Sequence, residues 1–142
     1  MRWFTRLFGA SESQPSEANP DDFVARFEAQ ERAAGAAASV DGKHYTEHVE
    51  AAKKLKREGK FEEAIALLLR LVAATEAESQ VTGLGVAPWY YEQLAFVYRK
   101  LGRNSEERQI LEQFARQTKA PGAKPAKLEE RLQSLDPPPT EA

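Results

Sequence analysis

Residues 53–71 read KKLKREGKFEEAIALLLRL, and the meaning of this stretch decides the fold. Lys53 to Glu58 is the basic end of one helix, Gly59-Lys60 supplies a turn, and Phe61-Glu62-Glu63-Ala64 opens a second helix with closely spaced apolar positions. Cations in a last turn face the negative end of the helix dipole, and acids in a first turn face the positive end. Glycine between them ends the first helix, because it enters the left-handed region without a steric penalty. The stretch is therefore a helix hairpin, and charge placement explains Glu62 and Glu63 without a catalytic role.

Working outward, the chain before Gly59 predicts a helix from about Lys43 to Glu58, with Tyr45, Val49, Ala52 and Leu55 on one face at steps of four, three and three. The helix after it runs to about Ser79, and Phe61, Ala64, Ile65, Leu68, Leu71 and Val72 form a surface wide enough to need more than one neighbour. Gln80 to Ala87, with Gly83 and Gly85, reads as a loop, and Pro88 opens a third helix whose inward stripe is Tyr91, Leu94, Ala95, Tyr98 and Leu101. Gly102 ends it. Asn104 and Glu107 have capping-box spacing for a fourth helix to about Gln117, with Ile110, Leu111, Phe114 and Ala115 inward. A short helix from Ala126 to Leu135 carries Leu128, Leu132 and Leu135 on one side. Towards the N-terminus, Asn19 as cap, Pro20 at the first helical position and Asp21-Asp22 predict a helix that carries Phe23, Val24 and Phe27 to about Ala34 and stops at Gly35. Ala36 to Val40 reads as a linker before a turn at Asp41-Gly42. The organisation expected is an N-terminal segment and flexible linker over 1–19, a helical domain over 20–136, and a disordered Pro-rich tail over 137–142.

Composition narrows the function classes. A chain of 142 residues with 42% hydrophobic content can build one real core. A net charge of −2 gives no electrostatic footprint for nucleic acid. The absence of cysteine removes disulfides, thiolate nucleophiles and Cys-based zinc sites together. No apolar run reaches the roughly 18 residues of a membrane span, and no signal-peptide core stands at the start, so a cytoplasmic location is expected. No grouping of Ser, His and Asp, no phosphate-cradling loop and no H-E-x-x-H occurs, so neither an enzyme nor a bound cofactor is expected. His44 and His48 are four apart, but two imidazoles are an incomplete metal site.

The two hairpins follow one plan. Ala51-Ala52, Leu55, Gly59 and Phe61 to Ala64 are matched by Leu94-Ala95, Tyr98, Gly102 and Glu106-Glu107. With GKFEEAI at the first turn and Tyr91, Leu94, Ala95 and Tyr98 in the second unit, the pattern resembles the tetratricopeptide repeat, a helix–turn–helix unit of about 34 residues. The two glycines lie 43 residues apart, His48 replaces a bulky apolar residue, Glu107 stands where the family usually has a small one, and neither unit ends in the customary proline. The resemblance implies an all-α fold of antiparallel hairpins stacked as a short solenoid, with the helices at 20–34 and 126–135 capping its ends.

What the resemblance implies for function is a protein-interaction adaptor whose first helices line a groove for a partner peptide. The groove positions would be Val49, Lys53, Lys56 and Arg57 in the first unit and Trp89, Glu92, Phe96 and Arg99 in the second. The latter four share one helix face by spacing. Cations beside aromatic rings suit an acidic peptide or a C-terminal carboxylate; the alternatives are an intramolecular helix that covers Trp89 and Phe96, or a homo-oligomer that buries the exposed aromatics. Residues 1–10 carry a second reading. In MRWFTRLFGA a helix would gather Trp3, Phe4, Leu7 and Phe8 opposite Arg2 and Arg6, the pattern of a peripheral membrane contact.

Overall fold

In the computed structural model, residues 19–119, 121–122 and 124–135 are described. They form α1 (Pro20–Ala37), strands β1 (Ser39–Val40) and β2 (Lys43–His44), a 3-10 turn at Tyr45–His48, α2 (Val49–Arg57), α3 (Phe61–Thr82), α4 (Pro88–Lys100), α5 (Asn104–Ala115) and α6 (Lys124–Ser134). The all-helical expectation holds for these residues apart from one two-stranded ribbon. Residues 1–10, with Trp3, Phe4, Leu7 and Phe8, and the tail at 137–142 lie outside the described residues. The chain divides into two units, Met1–Arg32 and Ala33–Ala142.

Both hairpin corners are built by the same backbone device. Gly59 and Gly102 have φ of 73° and 72°. At the first corner Gly59 N donates to Lys56 O and Lys60 N to Leu55 O; at the second, Gly102 N donates to Arg99 O and Arg103 N to Tyr98 O. This is the Schellman closure, which satisfies carbonyls that a helix end would otherwise leave unpaired. Lys60 and Arg103 then serve as N-caps of the following helices, with ψ of 65° and 69°. Ala64 N and Glu107 N make the first returning bonds, to Lys60 O and Arg103 O. The predicted capping box at Asn104 therefore does not form. The closure places Arg103 at the cap, Asn104 becomes helical, and no side chain caps this helix.

The long helix predicted over 43–58 is also corrected. Asp41 and Gly42, both at positive φ, turn the chain between β1 and β2, which pair Val40 with Lys43 and Ser39 with His44. Two positive φ values suit the twist of a two-residue hairpin. Arg70 of α3 clamps the turn through two bonds to Asp41 of 2.5 and 3.0 Å, and that ion pair holds the Asp41 carboxyl below its usual range. His44 starts the 3-10 turn: its backbone N donates to Glu47 at 3.1 Å and its ring accepts from Thr46 N at 3.2 Å.

Asn19 does cap α1, with Oδ1 accepting from Asp21 N at 3.2 Å. The helix runs through Gly35 to Ala37, because flanking alanines offset the modest helix penalty of one glycine. Phe23, Val24 and Phe27 are exposed. In the second unit each of α2 to α5 packs on the next, and α6 packs on α4 and α5. The predicted stripes supply the core: Leu68, Leu71 and Val72 of α3, Tyr91, Leu94 and Ala95 of α4, and Ile110, Leu111 and Phe114 of α5 are buried, with Leu128 from α6. Leu101 is exposed instead of buried, because it is the C-cap residue beyond the last turn of α4. Between α3 and α4, Gly83 ends the helix in the left-handed region. The following loop is fastened, since Val86 is fully buried and donates to Thr118 O at 2.9 Å, while Ala87 N donates to the buried Thr75 hydroxyl at 3.0 Å.

Candidate partner-binding face

The sequence places Lys56 one turn before Gly59, and the packing of the second unit brings it to the middle of α4. Its Nζ donates to the side-chain carbonyl of Gln93. The same ammonium lies 4.6 Å from the centre of the Phe96 ring. Lys100, one turn after Phe96, places its Nζ 5.9 Å from that ring and 5.3 Å from the ring of Phe61. An ammonium over an aromatic face is attracted by the ring quadrupole. Phe96 still keeps 46% of its surface exposed. Burial pushes the Lys56 ammonium below its ordinary pKa; Glu92 opposes that shift and Lys100 adds to it.

Lys53 and Arg57 are exposed on α2. Lys53 meets Glu50 at 3.5 Å, and Arg57 pairs with no acid among the described residues. The other predicted groove residues are occupied within the fold. Glu92 is bound by Lys124 of α6 at 3.1 Å. Arg99 reaches Glu107 at 3.1 Å, and Arg131 of α6 reaches the same carboxylate at 3.0 Å. Glu107 is 1% exposed, so its charge is held entirely by these two guanidinium groups among the described residues. Trp89 is half-buried with its ring edge-on to Tyr90 at 5.1 Å, and Val49 is half-buried against the core.

The face predicted as one groove is therefore two. Lys56 and Phe96 come together, with Lys53 and Arg57 exposed on α2, whereas Glu92 is paired with Lys124 of α6, and Arg99, itself exposed, is paired with Glu107 of α5. The intramolecular helix expected as an alternative cover for Trp89 and Phe96 does not bury Phe96, which stays 46% exposed, while Trp89 is half-buried. Sequence reasoning missed Phe61 as a ring for Lys100, and missed Lys100 and Gln93 altogether. Their spacing from Phe96, four and three residues, was the available signal.

Two further polar clusters serve the fold. Tyr91 donates its hydroxyl to Glu76 at 2.6 Å, Gln113 donates to the same carboxylate oxygen, and burial raises the Tyr91 pKa. Tyr45 donates to Glu78 at 2.8 Å and meets Tyr90 edge-on at 5.3 Å. Burial, with Tyr45 and Glu78 nearby, pushes Tyr90 up to about 12. The two histidines do not converge on one point: His44 Nε2 lies 3.1 Å from Glu78, and His48 Nε2 lies 2.7 Å from Val40 O. Among the described residues, no group of three His, Cys, Asp or Glu side chains could hold a metal ion.

Comparison of the chain with family models, curated proteins and solved structures gives no match. No helix among the described residues is long and apolar enough to cross a membrane.

Proposed function

We propose that the chain is a non-catalytic interaction module of tetratricopeptide-like build, which binds an acidic protein segment along the face shared by α2 and α4. The observation that carries this reading is Phe96, a large ring left 46% exposed between two ammonium groups. Lys53 and Arg57 extend the positive charge along α2, and Glu92 and Arg99, each paired within the fold, are not needed for it. An acidic segment would lay apolar surface on Phe96 and set carboxylates against Lys56, Lys100 and Arg57, the last able to bind a carboxylate through two parallel bonds.

The test is a nuclear magnetic resonance titration of the full chain with short acidic peptides, each made with a free and an amidated C-terminus, and with a basic control peptide. Saturable shifts confined to Lys53, Lys56, Arg57, Phe96 and Lys100 are expected with the acidic peptides alone, and Phe96→Ala should weaken binding about ten-fold. A loss on amidation would assign the contact to the terminal carboxylate, and no loss would assign it to acidic side chains. Equal response to the basic peptide, or no saturable response to any, would overturn the reading.

A further inference from the structure

Lys56 differs from every other lysine of the α2 end in its surroundings. Lys53, Lys54 and Lys60 are exposed, whereas Lys56 is half-buried between α2 and α4. A second ammonium, that of Lys100, faces the same Phe96 ring. The acid that attracts Lys56 is Glu92, and Glu92 is already shared with Lys124 through contacts of 3.1 and 3.4 Å. Gln93, the hydrogen-bond acceptor of Lys56, is neutral. It accepts an N–H from the neutral amine as well as from the ammonium, more weakly from the amine, so this contact does not by itself require the proton. Desolvation and a neighbouring cation are the two conditions that turn a lysine into a nucleophile near neutral pH.

We propose that Lys56 is an acyl-acceptor lysine, the preferred site on this chain for acylation by small acyl phosphates or acyl thioesters. The neutral amine attacks the acyl carbonyl carbon and a C–N bond forms. The bond from that carbon to the phosphate oxygen, or to the thioester sulfur, breaks and its electron pair leaves with the phosphate or thiolate. The nitrogen's surplus proton passes to water. The product amide keeps one N–H for Gln93, rests its acyl group against Phe96, and removes one positive charge from the face. The lowered pKa of Lys56 supports the proposal, with burial as its largest cause, Lys100 acting in the same direction, and Glu92 against them. If the acidic-segment reading holds, acylation weakens that contact; this consequence rests on that reading, and the chemistry of the site does not.

The experiment is incubation of the full chain at pH 7.5 with acetyl phosphate, and separately with acetyl coenzyme A, followed by site-resolved mass spectrometry over time. Lys53, Lys54 and Lys60 serve as internal references. Lys56 is expected to acylate roughly three-fold faster than Lys54 or more, with a rate that levels off at lower pH. Lys100→Met, verified as folded by circular dichroism, should bring Lys56 to within about two-fold of Lys54. A wild-type Lys56 no faster than Lys54 with either donor overturns the proposal, and an undiminished advantage in Lys100→Met overturns the role given to the paired cation. Neither readout involves peptide binding, so failure here is distinct from failure of the proposed function.

Discussion

Where α2 turns into α3, the first returning residue is Ala64, a methyl group with no exposed surface; where α4 turns into α5, the equivalent residue is Glu107, a carboxylate that is 1% exposed. The bonds around the two positions correspond one for one, from the closure at Gly59 and Gly102 to the caps at Lys60 and Arg103. The backbone alone thus fixes the corner and leaves the chemistry of this site to its neighbours. At the second corner they are Arg99 and Arg131. A charge that could not be buried at Ala64 becomes, at Glu107, the point to which α6 is fastened.

The strongest way to break this comparison is to exchange the residue without its neighbours. Ala64→Glu buries a carboxylate beside no matching pair of cations, and should cost about 4 kcal/mol or more, read as loss of the cooperative urea transition. Arg131→Ala leaves Glu107 with Arg99 alone, and a loss of about 3 kcal/mol is expected in the same assay. Glu107→Leu combined with Arg131→Met sharpens the point: with the carboxylate and the more buried of its two cations removed, and the half-exposed Arg99 left to solvent, stability should return to within about 1 kcal/mol of the wild type. Gly59→Ala and Gly102→Ala test the part that the corners share. No atom would lie within 4 Å of an added Cβ at either glycine, so the cost is conformational alone. Each should lose about 1 to 2 kcal/mol, and the two losses should agree within about 0.5 kcal/mol.

The smallest effect concerns alkaline pH and lies away from both corners. Tyr90 has its folded-state pKa raised from 10.0 to about 12, so its contribution to stability is present below pH 10 and is lost as pH rises through 12. Urea midpoints for the wild type should fall across that window, alongside tyrosinate absorbance. Tyr90→Phe should fall less steeply, and a parallel decline would remove Tyr90 as a contributor.

The hairpin plan was legible because its signals are local: a glycine after a basic turn, acids after it, and apolar residues at helical spacing. The core stripes of α3, α4 and α5 followed from the same periodicity. The ribbon at Ser39–His44 was not recognised, although Asp41-Gly42 gave a turn signal, because two-residue strands carry almost no pattern. What holds the turn is Arg70, far along the chain. The expected Asn104 cap gives way to Arg103 for a related reason. Both the capping box and the Schellman closure suit the residues at 101–107, and the closure places Glu107 inward. Of the candidate face, Lys56 and Phe96 were named from the first-helix positions of the repeat that the sequence resembles, while the pairing of Glu92 with Lys124 and of Arg99 with the buried Glu107 depends on packing between helices that no local pattern encodes.

The buried amide of Val86 has a consequence for how the molecule breathes. It sits in an irregular segment, yet it is bonded to Thr118 in the segment that follows α5, and its neighbour Ala87 is bonded to Thr75 in α3. One short strap thereby ties the first hairpin to the end of the second. The Val86 side chain is fully buried as well, so this amide hydrogen should exchange with solvent far more slowly than those of an ordinary exposed loop. The two hairpins should then share one melting event rather than fray one after the other.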